Sequence, residues 1–348
     1  MERALASIQK VLSLSPIPGA DRIEVAQILG WRVVCQKDLY NVGDLVTYLE
    51  VDSWVPNTLA PFLTKPGHYP KVFNEVEGER LKTVVLRKQL SQGLLLPMSE
   101  VMAHLGPDCV IMPEEGLDIT DVLGIQKWEA PISAQLAGMA KGNFPAFIRK
   151  TDQTRIQSLP RYFTDYRDTT FEASVKLDGS SMTAYHYIGE FGVCSRNLNL
   201  KEDDSNSFWK IAHRLNLQAI LAELGINLAI QGELIGEGIQ GNPEKIVGQE
   251  LRVFDIWDID KQRYMTPAER AFVINSIPGI KEVPILHTAL PVFSIYDTMD
   301  KLLEFAGAGP SMNGGIREGV VFKSTEPVDG EIISFKAINN SYLLSQEP

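Results

Sequence analysis

Lys176 stands between Val175 and Leu177 at the edge of an apolar run, and Asp178-Gly179-Ser180-Ser181 follows at once. Lysine is seldom buried without a partner or a task. So placed, it is either a solvated cation before a tight Asp-Gly turn or an amine nucleophile held at a strand end. The second reading requires a neutral amine. Lysine titrates near pH 10.4, so deprotonation at neutral pH costs about 4 kcal/mol, which the surroundings must supply. Further charged residues close apolar runs downstream: Arg196 in CSRNLNL, Glu233 in LAIQGELIG, Glu318 and Lys323 on either side of Val320-Val321-Phe322, and Lys336 in ISFKAINN. Between them, RVFDIWDI carries the aromatics Phe254 and Trp257. Taken singly, each charge reads as a solvated strand end. Cations of this kind can neutralise phosphate, and carboxylates can hold a hydrated divalent ion.

The elements that must position these residues follow from hydrophobic periodicity. In the second half, strands are expected at 171–177, 182–188, 228–235, 251–258, 318–323 and 331–336, and helices at 205–224, 267–276 and 298–306. That order gives an α+β domain on antiparallel sheet rather than a regular βαβ alternation. Residues 4–120 alternate in short apolar runs broken by turns. IEVAQILGWRVVC, DLVTYLEVDSWVP, ERLKTVVLRKQLSQGLLLP and CVIMPEEGLDIT read as strands, with one intervening helix. Such a series suggests a small closed β-barrel of the OB type. The expected domains are 1–125 and 143–348, with a linker over 126–142 rich in small residues, Gly and Pro. GEGIQG, from Gly236 to Gly241, matches a dinucleotide-binding fingerprint, but Asn242-Pro243 follows where a helix would have to start. A glycine loop after a strand describes it better.

Composition narrows the chemistry. Among 348 residues, 33 Lys and Arg face 44 Asp and Glu, a net charge of −11 that argues against coating nucleic acid by bulk attraction. Local basic stretches remain. Arg80, Lys82, Arg87 and Lys88 fall within RLKTVVLRK, and residues 141–176 carry Lys141, Arg149, Lys150, Arg155, Arg161, Arg167 and Lys176. Cys35, Cys109 and Cys194 fit neither a disulfide framework nor a zinc site. The five histidines form no H-E-x-x-H, and there is no nucleophile elbow. No apolar run approaches the roughly 18 residues of a membrane span, and the N-terminus makes a poor signal peptide. A reducing intracellular compartment is expected.

Read together, KLDG, SRN, GE, FDIW, EGVVFK and SFK resemble, in order, the motifs of the covalent nucleotidyltransferase superfamily, which contains ATP-dependent polynucleotide ligases and mRNA capping enzymes. The match spans residues 176–336. Only twelve residues follow Lys336, too few for the C-terminal OB domain of DNA ligases and capping enzymes, and here the candidate barrel comes first. With KTVVLRKQLSQGLLLP and GNFPAFIRKTDQTRIQSL on its N-terminal side, the chain resembles the RNA ligase 5 family, whose founders come from Deinococcus and Naegleria. It departs from the wider pattern at Ser334, where a second motif lysine is common, and at Val175, where some RNA ligases read adenine with glutamate.

The resemblance implies an N-terminal OB-type RNA-binding barrel and an ATP-grasp-like adenylylation domain. It implies an ATP-dependent RNA ligase working through lysyl-AMP on Lys176 and an RNA-adenylate, on RNA ends or nicked duplex, as a monomer. Asp178, Glu233 and Glu318 would hold Mg²⁺ or Mn²⁺. Lys323 and Lys336 would neutralise the reacting phosphate, and Arg196 would bind ribose or phosphate. Phe254 would stack on adenine or serve the core, with Val175, Lys150 and Arg155 also at the nucleotide. Arg80, Lys82, Arg87 and Lys88 would contact RNA. A capping-type GTP transferase and an inactive RNA-binding protein are the alternatives.

Overall fold

A computed structural model describes residues 3–132 and 134–346. The chain divides into two compact units. One holds the chain up to Pro131 with Gln157–Pro160 and the residues from Leu344 on, the other Ile132–Ile156 with Arg161–Leu343. Among the described residues no helix is long and apolar enough to cross a membrane.

In the first unit the long strand Ala6–Pro16 is bent by a bulge between Val11 and Ser13. Its first half pairs with Leu45–Leu49 and its second with Ile23–Ile28, both antiparallel. Leu94–Pro97 and Trp31–Gln36 extend this sheet on either side. The bend lets one strand serve two cores: Ala6 and Ile8 pack with Leu49, Leu96 and Val101, whereas Val11 packs with Ile28, Trp31 and Tyr48. A second antiparallel sheet runs Gln126–Lys127, Ser53–Pro56, Val76–Arg80, Lys71–Phe73. Thr83–Leu86 and Gln89–Gln92 form a hairpin whose two-residue turn is Arg87-Lys88, at φ 50° and 66°. That left-handed pair matches the primed turns that follow strand twist. The strand expected over CVIMPEEGLDIT is absent. The stretch makes one bridge, Asp118 to Ser7, with backbone hydrogen bonds to Ala6 and Ile8, and Pro113 and Gly116 interrupt it before it can extend into a strand.

The second unit is built on two sheets. The larger runs Ala140–Asn143, Leu198–Leu200, Glu190–Cys194, Ser180–Tyr187, Leu228–Gly236, Gln249–Asp258, Arg263–Tyr264. The smaller runs Ile285–Leu290, Phe171–Lys176, Gly319–Ser324, Ser334–Ile338, all antiparallel. Ser207–Arg214 and Leu217–Leu224 occupy the stretch expected as one helix; Asn216 between them takes a left-handed conformation, which asparagine tolerates. Trp209, Ile211, Leu217 and Leu221 thereby all reach the core formed by Met182, Val193, Ile230 and Val253. No helix follows Gly236, and GEGIQG lies in a loop.

Period-two alternation decides which face of the smaller sheet is chemical. Cross-strand partners share a face. Ala173 pairs with Phe322 and Phe322 with Phe335, while Glu172 pairs with Lys323, Val321 with Lys336, and Lys176 with Gly319. One face is therefore a ring cluster of Phe171, Phe293, Phe322 and Phe335, and the other carries Lys176, Lys323 and Lys336.

Arg270, from the helix Pro267–Asn275, joins the two sheets. It is 1% exposed, binds both oxygens of Glu172 at 2.7 and 2.8 Å, donates to Glu282 at 2.8 Å, and reaches the carbonyl of Phe254 at 3.3 Å. Arg270→Met should destabilise the protein by about 3–5 kcal/mol, because it leaves Glu172 buried without its cation. Urea unfolding followed by circular dichroism measures this, and a loss below about 1 kcal/mol would show that the network contributes nothing net.

Candidate active site

Lys176 ends the strand Phe171–Lys176, and the chain then turns through Asp178-Gly179 onto the larger sheet. The turn needs glycine. A Cβ at Gly179 would lie 2.4 Å from the carbonyl oxygen of Leu234 and 3.0 Å from Cγ of Glu233. That close approach brings the end of one sheet beside Glu233, on the strand Leu228–Gly236 of the other. Opposite Lys176 sits Gly319, where a Cβ would be 2.4 Å from the carbonyl of Ala337, and the preceding residue is Glu318. Three carboxylates thus converge on one amine.

Lys176 Nζ lies 2.7 Å from Oε1 of Glu318. Burial pulls its pKa down, but Glu318, Glu233 and Asp178 outweigh it, and the net direction is upward, so the resting lysine is an ammonium ion. Glu233 is pushed up to about 8, chiefly by burial, with Glu318 and Asp178 adding to it and Lys176 and Arg196 opposing. Lys176 and Arg196 oppose the shift without cancelling it, so Glu233 holds its proton more tightly than a free carboxyl does. Oε2 of Glu318 is buried without a hydrogen-bond partner. Among the described residues no three His, Cys, Asp or Glu side chains are close enough to hold an ion by themselves. The donor set therefore fits a divalent ion bound through few carboxylates, with water and phosphate completing its shell.

The lysines divide. Lys336 lies one row from Lys176 on the shared face, 3.4 Å from Asp152, and its backbone N–H donates to Thr154 O at 2.9 Å. This pairing brings Thr154 and Arg155 against the edge strand, with Arg155 bridging to Lys336. Lys150 donates to Asn197 Oδ1 at 2.9 Å, next to Arg196, which is exposed at the turn between Glu190–Cys194 and Leu198–Leu200. Lys323 is four residues from Gly319, about 13 Å along the strand from Lys176. It is 3% exposed, pairs with Asp255 at 2.7 Å and donates to the carbonyl of Phe254. Burial lowers its pKa, Asp255 raises it, and the net shift is down. Gln231 pairs with Asp255 and Gly232 with Val253, leaving Phe254 as the extra residue of a bulge. Its half-buried ring packs with the cluster of Val175, Leu177 and Val283, 5.6 Å from the Lys323 amine. Trp257 is structural: its Nε1 donates to Phe147 O at 3.1 Å.

In the first unit Arg80 is committed locally, with Asp52 at 2.6 Å and the Trp128 ring at 3.9 Å, whereas Lys82, Arg87 and Lys88 are exposed. Sequence reasoning missed Asp255, although it lies inside FDIW. It also missed Tyr342, whose hydroxyl donates to Oδ2 of Asp178. Tyr342 lies beyond the last motif, where no spacing signals it.

Comparisons with known proteins identify the family and the fold of the first unit. An RNA ligase family model matches residues 169–338, and an OB-fold domain model matches residues 5–98, so the bent first sheet is that of an OB-fold domain. No curated protein sequence matches the chain. Naegleria gruberi RNA ligase, solved as an alanine variant with AMP and Mn, is 42% identical over 99% of each chain, with a TM-score of 0.87. A second alanine variant with ATP and Mn is 42% identical over 99% of this chain and 100% of that one, and the enzyme solved with PPi is 42% identical over 99% of each; both have a TM-score of 0.87. With near-complete coverage at this identity, the chain belongs to the RNA ligase family.

Proposed function

We propose that this ATP-dependent RNA ligase joins 3′-OH and 5′-phosphate RNA ends at nicks in duplexes, as an intracellular monomer, through AMP carried on Lys176. The observation that carries the reading is the Lys176 amine held at a strand end against Glu318, with Glu233 and Asp178 beside it. The solved Naegleria variants add support: six changed positions among them repeat, in residue type and spacing, Lys127, Arg155, Lys176, Asp178, Glu233 and Glu318 of this chain.

The steps follow from the residues. Lys176 loses a proton, its Nζ lone pair bonds the α-phosphorus of ATP, and the bond to pyrophosphate breaks. An oxygen of the RNA 5′-phosphate then displaces Nζ from that phosphorus. Finally a 3′-OH attacks the activated 5′-phosphate and AMP leaves. Asp178, Glu233 and Glu318 would hold the Mg²⁺ or Mn²⁺, whose charge offsets the acids that otherwise keep Lys176 protonated. Lys336 and Arg155 at the edge of the smaller sheet, and Lys150 and Arg196 at a turn of the larger one, supply cations for the phosphates. Lys323 would act from within its ion pair with Asp255, and Phe254 offers a ring beside it.

Three outcomes test the reading. Incubation with labelled ATP or GTP, followed by denaturing electrophoresis, should label the chain from ATP alone. Lys176→Ala should abolish the label yet still join pre-adenylylated RNA; normal labelling of that variant overturns the assignment.

Glu233 governs the second. A cation takes the carboxylate, so its binding expels the proton that Glu233 retains below about pH 8. Half-saturating Mn²⁺, read by electron paramagnetic resonance of the free ion, should fall about tenfold per pH unit up to roughly 8 and then level off. Glu233→Gln should flatten the slope, and an unchanged slope would assign the proton elsewhere.

The third concerns the barrel. We assign Lys82, Arg87 and Lys88 to RNA phosphates, with Arg80 held on the preceding strand by Asp52 and Trp128. Arg87→Ala should leave adenylylation unchanged and lower the salt dependence of nick binding by about 0.9 in log–log slope for each phosphate left unneutralised. An unchanged slope removes the hairpin from the RNA site.

A further inference from the structure

The segment that follows the last motif holds two of the three acids. Asn339, 7% exposed, grips the backbone around Glu318 from both sides. Its N–H donates to Glu318 O at 2.9 Å and its side-chain amide donates to Arg317 O at 2.9 Å. The same side chain accepts from Ser341 N at 2.9 Å and so caps the helix Asn340–Gln346. The cap sets where that helix begins relative to Glu318. Three residues on, Tyr342 is 8% exposed and gives its hydroxyl proton to Oδ2 of Asp178.

Around this hydroxyl the charge is one-sided. Burial raises the Tyr342 pKa, and Asp178, Glu318 and Glu244 raise it further, so the phenol keeps its proton and remains a donor. It has one proton to give, and Asp178 receives it. One oxygen of Asp178 is thereby engaged, which orients the other. Without that bond Asp178 could turn toward the ammonium of Lys176, whose charge it already feels. Tyr342 and Asn339 together index Asp178 against Glu318, on either side of the nucleophile.

We propose that Tyr342 is a positioning residue for the divalent cation, acting through Asp178, with Asn339 as the anchor that registers its helix to Glu318. The inference rests on the reading of Asp178 and Glu318 as metal-binding acids, and the test separates the two. It is a double-mutant cycle on the full chain with Tyr342→Phe, which keeps the ring and removes the hydroxyl, and Asp178→Ala. The readout is Mn²⁺ binding, by electron paramagnetic resonance, in the presence of α,β-methylene ATP. Tyr342→Phe should raise half-saturating Mn²⁺ about tenfold, the scale of one hydrogen bond to a charged group. In the Asp178→Ala background the same change should have an effect below about twofold, because its route is gone. Weakening that persists in that background marks a general structural role and overturns the proposal, as does unchanged Mn²⁺ binding by Tyr342→Phe alone. If Asp178→Ala itself leaves Mn²⁺ binding unchanged, the metal reading falls and the proposal with it.

Discussion

The buried guanidinium of Arg270 is the constraint on which the second unit depends. Its helix packs beside the larger sheet, yet the side chain ends on Glu172 of the smaller one and on the carbonyl of Phe254. Glu172 is paired across the sheet with Lys323, and Lys323 reaches Asp255, so four charges share one buried interior, with the part-exposed Glu282 at its rim. Such clusters are tolerated when every member has a partner with good geometry, and they are costly when one is removed. They also leave few alternative arrangements. The two sheets are held at one end by this cluster and at the other by the close passage of Gly179 over Leu234.

Between those two fastenings the site is poised rather than reactive. Lys176 is an ammonium ion because acids surround it, and the Glu233 pKa is raised chiefly by burial, with Glu318 and Asp178 adding to it. The same excess of negative charge that disables the lysine is what attracts a divalent ion. In the function proposed above, charge balance would couple activation of Lys176 to arrival of the metal and nucleotide. The partnerless oxygen of Glu318 is the local sign of this imbalance, since buried polar atoms in folded proteins are ordinarily paired.

Much of the framework was legible before any coordinates. The strands at 171, 228, 251 and 318 were readable because period-two alternation separates Phe322 and Phe335 from Lys323 and Lys336, and burial of the rings leaves the lysines only the other face. The loop after Gly236 was readable from Asn242-Pro243. The break at Asn216 was not, because Leu217 and Leu221 continue a helical spacing and only packing onto the shared core makes the left-handed residue worthwhile. CVIMPEEGLDIT reads as a strand by its apolar residues, but its hydrogen bonds go to Ala6 and Ile8, partners no local pattern names.

The sequence by itself determined the order of the motifs, the places of Lys176, Asp178, Glu233 and Glu318 within them, and the barrel ahead of them. These are properties of residue type, spacing and hydrophobic period, which a linear text carries. Tertiary structure alone decided which charges meet. It sends Arg80 to Asp52 and Trp128, draws Lys323 to Asp255 about 13 Å along the strand from the amine it was expected to assist, and brings Tyr342 back to Asp178 across 164 residues of chain. Each of these pairings depends on register, on a turn only glycine can make, or on burial that punishes an unpartnered charge, and such quantities exist only once the chain has folded on itself.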